Sequence, residues 1–257
     1  MPKPEIRYGK YLYCLIHTPA EALQTSNLGI GERGDKIYTI DHMGMSAVVS
    51  DTPIQEYEES RRNMMAHTLV LEEVMRNHTI LPIRFGTVAP NETAVLEQVL
   101  KRRYGGLITE FEEVENRIEL GIKAFWYEEV IFQEIIEQNS AVRSLRDSLK
   151  SHKAEETFYE RIRLGELIEA AMEKKRDEDS EKILSQLRPF VYKSRANKII
   201  TDKMVLNAAF LVDRQREPEF DQTVKKLDAE MQKRVMFKYV GPVPPYNFVN
   251  LIIHWDA

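Results

Sequence analysis

Apolar residues recur along this chain with two periods, and the changes of period mark its elements. Tyr11-Leu12-Tyr13-Cys14-Leu15-Ile16, rich in aromatic and branched residues, reads as a strand. A short helical turn over Pro19-Ala20-Glu21-Ala22-Leu23 and a polar, glycine-rich loop follow. Residues 37–40 and 46–49 read as a hairpin turning at Asp41-His42-Met43-Gly44, where glycine supplies the positive φ such turns need. Ser60 is placed to cap a helix with Met64, Leu71, Val74 and Met75 on its apolar face. Residues 79–85 return to strand, and Pro82, which has no amide hydrogen, directs that strand to an edge or a bulge. A helix starting at Asn91 and apolar at Val95, Leu96, Val99 and Leu100 ends near Tyr104-Gly105-Gly106. Those glycines set the expected domain boundary.

The strictest alternation in the chain opens the second half, with Ile118, Leu120, Ile122, Ala124 and Trp126 on one face. Helical character then runs from about residue 127 to 188, its apolar faces marked by Val130, Ile131, Ile135, Leu145, Leu149, Phe158, Ile162, Ile168 and Met172. Strands at 205–212 and 235–240 flank a helix at about 217–233. A last strand is expected at 248–255, with Val249, Leu251, Ile253 and Trp255 sharing a face. Each half therefore follows the element order of a ferredoxin-like split βαβ unit. The expected fold is α+β: a ferredoxin-like domain at 1–106, and a second at 107–257 modified by a long helical insert. The halves share no sequence repeat, so their kinship rests on element order.

Composition narrows the class. A length of 257 residues suits two domains, and 43% apolar with 30% charged residues excludes wholesale disorder. A formal net charge of −5 gives no broad attraction to nucleic acid or anionic membrane. The single cysteine, Cys14, excludes an intrachain disulfide and reads as a small buried hydrophobe. No apolar run approaches the roughly 20 residues of a membrane-spanning helix, so a soluble cytoplasmic protein is expected.

The motifs that invite a catalytic reading fail on context. Gly29-Ile30-Gly31-Glu32-Arg33-Gly34 matches a dinucleotide-binding pattern, with Asp51 about twenty residues on, but that chemistry needs a strand before the glycines and a helix after them. Here a polar segment precedes and a strand follows. No two histidines lie three or four apart, and neither a phosphate-binding loop nor a Gly-x-Ser-x-Gly elbow occurs. Adjacent acidic pairs such as Glu58-Glu59 and Glu128-Glu129, and the charge run at 174–181, read as solvated faces. Tyr11 and Tyr13 are the nearest candidates for a base-stacking platform, but the accompanying basic-glycine-aromatic pattern is missing, and core aromatics fit better.

Two segments resist a purely compositional account. Leu81-Pro82-Ile83-Arg84-Phe85-Gly86-Thr87-Val88 sets one cation in an apolar strand, where a charge is costly unless paired or kept at the rim. Arg84 is thus expected to have a fixed carboxylate or carbonyl partner at the domain junction, with a ligand-binding role as the alternative. Gly241-Pro242-Val243-Pro244-Pro245-Tyr246-Asn247-Phe248 is stiffened by three prolines. It serves either as a rigid turn or as a preformed ledge for a partner, since stiff segments lose little entropy on binding. Pro82, Arg84, Phe85, Pro244, Pro245 and Tyr246 are the candidate interface or structural residues.

With Met45-Ser46-Ala47-Val48-Val49-Ser50 and residues 206–212, these segments make the chain resemble the gas vesicle protein F/L family, closest to its F-type members. The pattern departs at Val243, where many members carry Trp. The resemblance implies a minor, non-enzymatic, cofactor-free component of cytoplasmic gas vesicles. It would contact the small, very apolar principal shell protein, and other minor vesicle proteins, either keeping the shell protein from aggregating or starting the shell. Neither nucleic acid nor lipid membrane is an implied partner. Of the candidate binding surfaces, the first is the N-terminal sheet with its Pro82 edge and the second is the helical insert. The rival classes are a small-molecule enzyme with a pocket near Arg84 and an RNA-binding module.

Overall fold

Strand β1 (Tyr8–His17) organises the first half of the chain through one irregularity. It pairs antiparallel with β3 (Met45–Pro53), and the register shifts between Leu12 and Cys14, leaving Tyr13 as an extra residue in a bulge. The bulge resets the alternation, so Tyr11, Tyr13, Cys14 and Ile16 all join one core with Val70, Leu71 and Val74 of helix α1 (Arg61–Met75). The computed structural model describes residues 7–17, 23, 25–152 and 154–255, with the backbone alone at 154 and 155. The expected helical turn at 19–23 lies, at 19–22, outside the described residues.

The chain forms two compact units, Met1–Glu119 with Pro242–Ala257, and Leu120–Gly241. This division differs from a border at 106. Gly105 and Gly106 lie in the first turn of α3 (Tyr104–Val114) rather than in a linker.

In the first unit the strand order is β2-β3-β1-β4, where β2 is Ile37–His42 and β4 is Ile80–Pro82, and β5 (Val88–Ala89) also pairs with β1. The hairpin at 37–49 forms as its pattern predicts, with Gly44 at φ +85. Ser60 caps α1, its hydroxyl accepting the Asn63 N–H. The buried stripe of α1 is His67, Val70, Leu71 and Val74, so Met64 stands outside it and is exposed. Asn91 caps the short α2 (Glu92–Ala94), which widens into a π-helical turn, Val95–Lys101, where the Arg102 N–H reaches back five residues to the Glu97 carbonyl.

The second unit holds a sheet of order β7-β8-β6-β9, with β6 Arg117–Trp126, β7 Val191–Ala196, β8 Met204–Asp213 and β9 Val235–Val243. Between β6 and β7 stand α4 (Glu128–Gln138), α5 (Ser140–Leu149) and the 30-residue α6 (Phe158–Leu187), the expected helical insert. Helix α7 (Glu217–Met231) buries Phe220, Val224, Leu227 and Met231, with the Phe220 ring 5.4 Å from that of Phe210 on β8. A polar cluster pins α6. The Asp179 carboxylate, only 7% exposed, accepts the Trp126 indole N–H at 2.8 Å and an Arg234 N–H at 2.6 Å. Arg234 also donates to Glu134 at 2.6 Å, and Glu134 accepts from Lys175 at 3.0 Å.

The sheet edges add one strand that the hydrophobic pattern does not predict and correct one that it does. Strand β7, Val191-Tyr192-Lys193-Ser194-Arg195-Ala196, has no buried face to produce an alternating pattern; it is an edge strand dressed with charge, as exposed edges usually are. Residues 248–255 do not form a strand of the second sheet. They belong to the first unit, where Leu251 makes one isolated parallel bridge to Ile83, and β9 takes the last place in the second sheet. No helix among the described residues is long and apolar enough to cross a membrane.

Candidate functional site

The two segments that composition left unexplained meet in the first unit. Strand β4 pairs Pro82 with Cys14, and the Ile83 N–H still donates to the Tyr13 carbonyl at 2.9 Å; contact with β1 then breaks until the Thr87 carbonyl accepts the Leu12 N–H at 3.0 Å and Val88 lies opposite Tyr11. The intervening residues loop out through Gly86, at φ +81, and the Thr87 hydroxyl donates to the Arg84 carbonyl at 2.7 Å. Beside the start of this excursion Leu251 bridges to Ile83, so the C-terminal segment covers part of the β4 edge. Pro82 is thus an edge residue as predicted, yet buried, and the edge beside it is not open to a partner at Ile83.

Arg84 corrects its expectation. The excursion carries it out of the sheet, it is exposed, and among the described residues its guanidinium has no hydrogen-bond or ion-pair partner. A charge at the rim keeps its water and needs no partner. Phe85 turns the other way, and its ring sits edge-on to those of Tyr11, at 6.4 Å, and His67, at 5.7 Å.

These aromatics enclose a buried polar pair. The Tyr11 hydroxyl accepts the Gly86 N–H at 3.0 Å and lies 3.0 Å from His67 Nδ1, to which it is placed to donate. His67 Nε2 is buried without a well-formed hydrogen bond, and burial holds the ring's pKa down at about 4, opposed in part by the nearby Ile83 carbonyl. Tyr13 accepts the Ile30 N–H and pairs with Ser50, which ties the glycine-rich loop to the sheet. That loop leads into β2 rather than a helix, so it lacks the dinucleotide-binding context. Tyr11 and Tyr13 are fully buried and cannot form a solvent-facing base-stacking platform. Cys14 is buried too, and burial pushes its thiol up, away from the reactive thiolate.

The proline-rich segment ends as an anchored strap. Pro244 and Pro245 are buried, and Asn247 donates its backbone N–H at 2.8 Å and its amide N–H at 2.6 Å to the two oxygens of Glu119, itself 3% exposed. Tyr246 is 43% exposed, but its hydroxyl end is desolvated against Thr68 of α1, which raises its pKa above the ordinary tyrosine range. Replacing Glu119 by alanine removes both charge-assisted bonds. The expected result is a loss of about 2 kcal/mol, with faster amide exchange at Leu251 than in the parent protein.

Tyr246 borders the exposed face of α1. Met65 and Leu69 lie one helical turn apart there, 52% and 44% exposed, with Met64 beside them. Leu28 is held nearby, because the Asn27 side chain donates to the Leu69 carbonyl and the Glu73 carboxylate gathers hydrogen bonds from Thr25, Ser26 and Asn27. A methionine-rich apolar face adapts readily to an apolar partner. The apolar periodicity assigns Met64 to the core and gives Met65 and Leu69 no role. His67, a polar residue inside the buried stripe, masks where that stripe runs, and counting it as a core position with Val70, Leu71 and Val74 leaves Met65 and Leu69 on the outer face.

A two-unit α/β protein with two sheets, a long helix and a strap-covered edge defines a structural class, and comparison with known proteins gives that class a family. The model for gas vesicle synthesis protein GvpL/GvpF matches residues 9–250, and the chain belongs to that family. Gas vesicle protein F of Microcystis aeruginosa is 31% identical, with 81% of this chain and 86% of that one aligned. The Nostoc protein of the same name is 27% identical over 95% of this chain and 98% of its own. The crystal structure of GvpF from an Anabaena species superposes with a TM-score of 0.83 at 26% identity, covering 95% of this chain and 99% of that one. The architecture of two sheets and a long helix matches that structure, and membership of the family gives the chain a role in gas vesicle assembly.

Proposed function

We propose that this protein is a minor assembly component of gas vesicles that binds the principal shell protein, covers its apolar surface, and so limits its aggregation or helps to start the shell. The observation that carries this reading is the exposed apolar face of α1, made by Met64, Met65 and Leu69 with Leu28 and Tyr246 at its borders. An apolar shell subunit needs such a cover while it is free. The site moves from the Pro82 edge, part of which the strap occupies, to the neighbouring helix face.

The role is one of binding, without a catalytic step. Three carboxylates support this, since the buried Glu119 and Asp179 and the half-buried Glu134 are each matched by donors of the fold itself, as structural groups are. Both units are read as split βαβ ferredoxin-like folds. In each, the strands lie in the order second, third, first, last, once β5 is counted as the continuation of β4.

The double substitution Met65→Asp, Leu69→Asp tests the proposal. Both side chains are exposed, so the melting temperature should stay close to that of the parent, while co-purification with co-expressed shell protein should fall at least ~10-fold. Undiminished co-purification would reject the α1 face, and failure of the parent protein to co-purify would reject the binding role.

A further inference from the structure

The helical insert carries a second surface that the α1 face does not explain. In the second unit a groove of about 590 Å³ runs between α4, α6 and the 201–203 loop. Its floor is apolar, with Ile131 and Met172 buried and Phe132 and Ile168 half-buried. Of the α6 residues that line it, Gly165, Glu169, Met172 and Arg176 fall on one line along the helix, which Ile162 and Phe158 continue beyond the groove toward the helix start. Their spacing alternates four and three, the repeat by which one helix packs its seam against another. Phe158 and Ile162, at the open end of that line, are 61% and 46% exposed.

Gly165 sits inside this 30-residue helix, where glycine costs about 1 kcal/mol relative to alanine. Among the described residues no contact requires it, because a Cβ there would meet none of their atoms within 4 Å. Its lack of a side chain leaves a notch at the midpoint of the seam, where another backbone can approach closely.

The rim selects the charge of the occupant. Glu128, Glu169, Glu173 and Asp202 border the groove and outnumber its two cations, Arg176 and Lys203, and among the described residues the four carboxylates have no ion-pair or hydrogen-bond partner. The cation of Arg176 is already committed, donating to the carbonyls of Met204 and Asp202 and lying over the Trp126 ring. A second copy of the same acidic seam would set like charges against each other.

We infer that this groove docks an amphipathic helix of a partner chain, about five turns long, with an apolar stripe flanked by Lys or Arg. The stripe fills the floor, its smallest approach falls at Gly165, and the flanking cations meet the acidic rim.

The test uses the full-length protein and two labelled 20-residue helical peptides with leucine at the seam positions, one flanked by lysine and one by glutamate, followed by fluorescence anisotropy. The lysine peptide should bind at least ~10-fold more tightly than the glutamate peptide. Gly165→Phe should weaken it at least ~10-fold without lowering the melting temperature, since phenylalanine is the better helix former. The pair Glu169→Lys, Glu173→Lys, both exposed, should invert the preference between the peptides. Equal binding by the Gly165→Phe protein, an unchanged preference in the charge-reversed protein, or no binding by the parent would each overturn the inference. A concentration-dependent dimer of the protein alone that Gly165→Phe abolishes would also overturn it, by assigning the groove to a second copy.

Discussion

Replacing Asp179 by alanine is expected to cost about 3–5 kcal/mol, the usual consequence of removing one member of a buried charged pair. Its carboxylate is the common acceptor for the Trp126 indole at 2.8 Å and the Arg234 guanidinium at 2.6 Å. The Arg234 side chain is 24% exposed and that of Asp179 10%, so water replaces the lost partner poorly. Glu134 still holds the other side of the guanidinium, which keeps the loss at the lower end of the range. Asp179→Asn retains an acceptor for Trp126 and should fall between the alanine variant and the parent. The measurement is the urea-unfolding midpoint at constant m-value. A shift equivalent to less than about 1 kcal/mol would show that α6 is held by apolar packing alone.

Acid should destabilise the protein through His67 in a defined window. The ring's pKa is about 4 in the fold against an ordinary value of 6.5, because burial disfavours the imidazolium. The unfolded chain therefore binds the proton first. Stability is independent of this group above 6.5, falls as pH drops toward 4, and levels off below. At about 1.4 kcal/mol per pH unit, the interval corresponds to roughly 3 kcal/mol. Protonating Nδ1 also takes away the acceptor for the Tyr11 hydroxyl, whose other bond secures Gly86 in the β4 excursion. The His67→Gln protein should lose this slope, so the difference in unfolding free energy between parent and variant should change between pH 7 and pH 4.5. A constant difference would refute the assignment. Glu73 titrates separately, because its hydrogen bonds with Thr25, Ser26 and Asn27 outweigh its desolvation and lower its pKa to about 2. Its contribution is lost between about 4.5 and 2, below most of the histidine window.

Periodic burial is what made much of this architecture legible. The alternation at 117–126 became β6, and the helical stretch from 127 to 188 became α4, α5 and α6. Ser60 and Asn91 cap helices because their side-chain oxygens accept orphan amides, a local interaction that needs no tertiary contact. Pro82 lies on an edge for an equally local reason, its missing donor. The family resemblance rested on the same segments and is confirmed across residues 9–250.

Elsewhere the deciding partner lies far along the chain. Strand β7 has no apolar face to announce it and exists because β8 offers a free edge. Glu119 and Asn247, 128 positions apart, fix the C-terminal strap to the first unit, and no periodicity within either segment encodes that pairing. Arg84 reads as a buried cation until the excursion after Pro82 delivers it to solvent. Local order, caps, turns and the helical insert were thus set by neighbouring residues, through backbone donors and short-period burial. Which edges are covered, which methionines face outward and which charges meet were settled only by folding, because those contacts depend on residues that sequence distance keeps apart.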